Sequence, residues 1–68
     1  MCIREMLDQF EIQGGYHIKK WDDNICDCVT VAKGNDFECD KWDIDDDIME
    51  SKIAYMYAID GVLNIELE

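Results

Sequence analysis

The run "IAYMYAIDGVLNIELE", from Ile53 to the final Glu68, constrains the fold more than any other part of this chain. Asp60-Gly61 stands between two apolar runs, and that dipeptide accepts the positive φ a tight hairpin requires. Pairing outward from a two-residue turn sets Ala58 against Leu63, Met56 against Ile65 and Ala54 against Leu67. That face alternates small with large residues and is wholly apolar, as a core face should be. The opposite face carries Ile53, Tyr55, Tyr57, Ile59, Val62, Asn64 and Glu66, and much of it is apolar too.

The rest of the chain supplies a second hairpin and two short helices. Ile3, Met6, Leu7 and Phe10 fall at i, i+3, i+4 and i+7, the stripe of a short amphipathic helix. Gly14-Gly15 ends that element and lets the chain turn. "YHIKKWDDNICDCVTVAK" reads as two extended runs around Asp23-Asn24. A type I′ turn there pairs Lys20 with Asp27, Ile18 with Val29 and Tyr16 with Val31. Between the hairpins, Asp43 can act as N-cap with Asp46 at N3. Ile44 and Ile48 then share a stripe, Met49 lies beside them, and the helix ends near Ser51 or Lys52. The expected fold is a single α+β domain over residues 1–68, with four antiparallel strands in two hairpins and a short acidic helix between them. The N-terminal helix packs on one face, with Ile3, Met6, Leu7 and Phe10 against Ile18, Val29, Met56, Leu63 and Ile65.

Size and composition limit the function classes. Sixty-eight residues lie near the lower limit for a self-sufficient core. With no proline, four glycines and 49% apolar residues in patterned runs, a disordered linker is excluded. No run reaches the roughly 18 apolar residues of a membrane span. The N-terminal stretch carries Arg4, Glu5 and Asp8 within its apolar pattern, unlike a signal peptide. A cytoplasmic protein is expected, and Cys2, Cys26, Cys28 and Cys39 read first as thiols.

The formal charge is −11, and its distribution is uneven. Residues 36–50 hold eight acids and one base, so −7 of the −11 sits in fifteen positions. Such a field repels nucleic acid and anionic membranes and steers the protein toward basic surfaces. Three readings compete for "DKWDIDDDIME" (Asp40–Glu50). Acids in a first helical turn complement its positive end by about 0.3–1 kcal/mol each, and a solvated acidic face needs no partner. Asp43, Asp45 and Asp47 match the alternating start of a calcium loop, but the sixth position is Ile48 and the twelfth is Ala54, where glycine and glutamate are required. The third reading is mimicry of phosphates. On one helix Asp43, Asp46, Asp47 and Glu50 form a continuous stripe that Asp36, Glu38 and Asp40 extend upstream.

Other constellations are weaker. His17, Cys26 and Cys28 share a face in the register above, and with Cys39 they are candidates for a zinc site or a cysteine–histidine dyad. Half-buried thiols on a strand are the plainer account. No phosphate loop, HExxH or serine with a base appears, so an enzyme is not expected and no cofactor is implied. Tyr55 and Tyr57 form either a second core layer under the acidic helix or an exposed interface patch that makes a homodimer. Trp21 and Trp42 read as partly buried at the rim of the core.

Together, "IREMLDQFEIQG", "GNDFECDKWDID" and "YMYAIDGVLNIELE" resemble short acidic proteins encoded by phages and mobile elements of gut Firmicutes. Such proteins are often inhibitors of host defence, among them anti-CRISPR proteins that mimic nucleic acid. The resemblance transfers no catalytic residue. What it implies is a non-enzymatic inhibitor of a basic nucleic-acid-binding host protein, such as a CRISPR effector. Asp36, Glu38, Asp40, Asp43, Asp46, Asp47 and Glu50 would then occupy a phosphate groove, with Trp42, Tyr55 and Tyr57 as apolar anchors. The alternative is a structural or regulatory homodimer whose acids serve solubility.

Overall fold

Two hairpins lie side by side in one four-stranded sheet of order β2-β1-β4-β3. The computed structural model covers residues 1–68 and orders them as α1 (Ile3–Leu7), β1 (Tyr16–Asp22), β2 (Asp27–Gly34), α2 (Phe37–Asp40), α3 (Asp46–Glu50), β3 (Ile53–Ile59) and β4 (Val62–Leu67). The fold is α+β as expected, but the sheet is mixed. β1 and β4 run parallel, with Tyr16 beside Leu63, Ile18 beside Ile65 and Lys20 beside Leu67. A turn dictates antiparallel pairing only inside its own hairpin. The join between hairpins is set by burial, and it brings Ile18, Ile65 and Leu67, all 1% exposed or less, to the centre of the sheet.

The β3–β4 hairpin forms as its sequence predicts. Asp60 and Gly61 both take positive φ (52° and 77°), and Ala58 pairs with Leu63 and Met56 with Ile65. The third expected pair fails. An irregularity between Ile53 and Tyr55 brings Ile53, not Ala54, opposite Leu67. This sets a larger, half-buried side chain against the core.

The β1–β2 register differs throughout. Asp22 pairs with Asp27, Lys20 with Val29, Ile18 with Ala32 and Tyr16 with Gly34, with a bulge after Ile18. The turn spans Asp23 to Cys26, not Asp23-Asn24 alone. The Asp22 carboxylate accepts from the Asn24 amide at 2.9 Å, and Cys26 takes the positive φ of 52°. An Asx turn therefore outcompetes the two-residue alternative.

The helices all contribute to one apolar layer. Ile3 and Met6 of α1, Phe37 of α2 and Met49 of α3 join Ile12, Tyr16, Ile18, Ile65 and Leu67 in a single buried cluster. Phe37 meets Tyr16 edge to face, with centroids 5.2 Å apart and planes at 81°. Gly34 is what lets Tyr16 lie there, because a Cβ at that position would sit 2.9 Å from the ring. Helix α1 is shorter than its stripe: it ends at Leu7, Phe10 is 59% exposed, and Ile12 takes the buried place. Val29 and Met56 are likewise exposed, not core. The Gly14 and Gly15 carbonyls accept from the Phe37 and Leu63 amides, so the di-glycine also ties the helical layer to the sheet.

Candidate functional site

The acidic segment, residues 36–50, folds as two short helices and not as one. Asp36 caps α2 by accepting from the Cys39 amide, and α2 stops at Asp40. The Asp43 amide bonds the Asp40 carbonyl, so Asp43 belongs to the intervening turn and is not an N-cap. Helix α3 begins after Asp45. The i, i+3, i+4, i+7 stripe from Asp43 to Glu50 is therefore broken at its first member.

Five of the eight acids are held by the chain itself. Asp36 caps α2. Glu38 pairs with Lys41 at 3.1 Å. Asp40 accepts from the hydroxyl of Tyr16 at 2.9 Å, where burial first, then this bond and the charges of Asp40 and Asp43, push the phenol upward. Asp46 and Glu50 accept from the two terminal nitrogens of Arg4 at 2.8 and 3.1 Å, which ties α3 to α1. Asp43, Asp45 and Asp47 are exposed and meet no cation of the chain.

Trp42 belongs to the same segment and precedes Asp43 in the chain. It is 82% exposed, the most exposed large apolar side chain of the molecule, which corrects the expectation of partial burial. Its ring carries the Lys41 ammonium 5.2 Å from the centroid. Beside it lies a groove of about 460 Å³, with Leu7, Trp42, Ile44 and Met49 as its apolar lining and Arg4 and Asp46 at its polar rim. Free carboxylates and an exposed aromatic side chain within one short segment are suited to a cationic protein surface with an apolar foothold.

The acidic segment does not cover the tyrosine face. Ile44 and Ile48 pack against the buried cluster on the helix-bearing side. On the opposite, open face, Tyr55 is 69% exposed and Tyr57 half-buried. The middle of that face is polar. His17 bonds Thr30 at 2.7 Å, and the Cys28 thiol donates to Glu66 at 3.4 Å. Bonds from Tyr57 and Cys28 hold the Glu66 carboxyl below its ordinary value. Asn64, 6% exposed, donates to the Val62 carbonyl. Burial, followed by Lys19 and Lys33, holds the His17 imidazole below its ordinary value.

The zinc and dyad candidates are not assembled. His17 and Cys28 each have another partner on the open face, Cys26 lies in the β1–β2 turn, and Cys39 belongs to α2 in the helical layer. No three histidine, cysteine or acidic side chains are grouped as metal ligands. The Cys28 thiol is raised chiefly by burial and the Cys39 thiol chiefly by its bond to Asp36, the opposite of nucleophile activation. No helix is long and apolar enough to cross a membrane. Sequence reasoning placed Trp42 within the site but missed its isolation from the core and the groove at its side. Comparison with known protein families, characterised proteins and solved structures finds no match.

Proposed function

We propose that this chain is a non-enzymatic acidic binding protein that inhibits a basic, nucleic-acid-handling protein of a host cytoplasm, a CRISPR effector being one such target. The observation that supports this is that one short segment leaves the carboxylates of Asp43, Asp45 and Asp47 without an internal cation and the Trp42 ring exposed. A side-chain cap bond, ion pairs and the Tyr16 hydroxyl hold the other acids of the segment, whereas Asp45, at the N-cap position of α3, makes no cap bond and Asp43 and Asp47 meet no cation. The three carboxylates take the positions that phosphates hold on the target, and Trp42 supplies the apolar anchor. Nucleic acid competes with the chain and is not its ligand, because the −11 charge repels it.

The test is capture of proteins from a bacterial lysate on the immobilised chain, with elution by a salt gradient. A basic nucleic-acid enzyme should be retained, released by salt and displaced by an oligonucleotide. The triple variant Asp43→Asn, Asp45→Asn, Asp47→Asn keeps a good N-cap at position 45 and should lose the capture, as should Trp42→Ala. Undiminished capture by the triple variant refutes the reading. Asp46 is left unchanged, because its substitution would break the ion pair to Arg4 and confound binding with folding. A structural or regulatory homodimer is the second reading, favoured by the exposure of Tyr55, Met56 and Ile59 on one edge strand.

A further inference from the structure

The sheet has two edges, β2 and β3, and they differ in how they are protected. Each has one irregularity, but β2 also carries the charges of Asp27 and Lys33, a usual defence of an edge strand. β3, "IAYMYAI", has no charge and no proline along its seven residues. In an otherwise heavily charged molecule this is a neutral window, and it is a row of main-chain groups as well. Ile59 and Val62 flank the two-residue turn, and in such a hairpin they exchange hydrogen bonds. Alternation along the ladder then bonds Tyr57 and Tyr55 to β4 and turns the N–H and C=O of Met56 and Ala58 outward. At the far end the edge is closed: the Ile53 amide donates to the Met1 carbonyl at 2.8 Å, and Cys2 bridges Lys52. The regular open stretch runs from Tyr55 to Ile59, with the irregularity of β3 falling at Ala54.

We propose that two copies of this chain associate edge to edge through β3, antiparallel about Met56, into one continuous sheet. The strand is a palindrome: read from Met56, it runs Tyr, Ala, Ile in both directions. A two-fold axis at Met56 thus sets Tyr55 opposite Tyr57 of the second copy and Ala54 opposite Ala58. Aromatic pairs of this kind are favourable across strands. The axis falls on a residue whose main-chain groups point outward, so Met56 exchanges both bonds with its counterpart. Just beyond the palindrome the charges are complementary, because the same axis places Lys52 toward Asp60 of the second copy, twice. The acidic segment does not obstruct this. Asp40, Asp43 and Asp45 line a groove with Val31, Ala32 and Lys33 of β2, at the opposite edge. Face-to-face stacking through the tyrosines is the poorer solution, since it would bury the polar centre formed by His17, Thr30 and Glu66.

The inference gives the homodimer reading its surface and rests on that reading alone; it does not depend on the free carboxylates. The test is sedimentation velocity of the whole chain from micromolar to millimolar concentration, at low and high salt, with amide hydrogen exchange across the same range. A dimer should appear with concentration and strengthen with salt, because each copy carries −11. Amides of Met56 and Ala58 should gain protection as it forms, while Tyr57, already bonded to β4, should not. Met56→Lys sets two ammonium groups opposite each other and should weaken association at least about tenfold, whereas Met56→Leu should not. If Met56→Lys does not fold, the wild-type amide protection decides. A monomer across the range, protection elsewhere, or unchanged association of folded Met56→Lys overturns the proposal. Capture of a basic partner weakens with salt and should survive Met56→Lys, and self-association should survive the triple asparagine change, so the two readings fail separately.

Discussion

Tyr16→Phe isolates one bond between the sheet and the acidic segment. The Tyr16 ring is 4% exposed and packs edge-on against Phe37, and phenylalanine preserves both features. Only the hydroxyl, which donates to Asp40 at 2.9 Å, is lost. A hydrogen bond to a charged group contributes about 1.5–3 kcal/mol. Asp40 is half-buried, so water replaces part of what the hydroxyl gave, and the expected loss falls to the bottom of that range or just below it, about 1–1.5 kcal/mol. In a domain of this size about 1 kcal/mol moves the midpoint by roughly 4–8 °C, so melting should fall by about 5–10 °C. Circular-dichroism melts and urea titrations of Tyr16→Phe, Asp40→Ala and the double variant complete a cycle. The single changes should be strongly non-additive. Additivity within about 0.3–0.5 kcal/mol would mean that Asp40 does not bond Tyr16 in solution. Asp40 would then rejoin the free carboxylates, and the division of the segment into internally held and free acids would be wrong.

Phe37→Ala should abolish cooperative unfolding at room temperature. A fully buried phenylalanine costs about 3–5 kcal/mol to truncate, against about 3–5 kcal/mol supplied by a core of this size; a sharp melt in the variant would show that α2 is not part of the core. His17 should make stability depend on pH. Its imidazole is held down in the fold, so it contributes stability that is fully present above the unfolded value of about 6.5 and lost as pH falls toward the lower folded value. The urea midpoint of wild type should decline between neutral pH and mildly acidic pH more than that of His17→Gln, and parallel profiles would remove His17 as the cause.

What could be read from the sequence was what local chemistry decides. Asp60-Gly61 fixed a hairpin because two adjacent residues there adopt positive φ, and two of its three expected pairs followed. Asp23-Asn24 failed as a two-residue turn because a side-chain bond within the same five residues closes a longer loop. The parallel join of β1 to β4 and the burial of Ile12 in place of Phe10 depend on which strands and loops meet across the core, which no window along the chain contains. The acidic segment shows the same limit in electrostatic form. Charge density can be counted from the sequence, but the cation or donor that answers each carboxylate cannot. Arg4 is 42 positions from Asp46 and Tyr16 is 24 from Asp40. Folding thus removes acids from the stripe in an order unrelated to spacing. What it leaves are three carboxylates with no internal cation, in the same short segment as the tryptophan that the core also leaves out. A binding role for the segment rests on that residue set, not on its total charge.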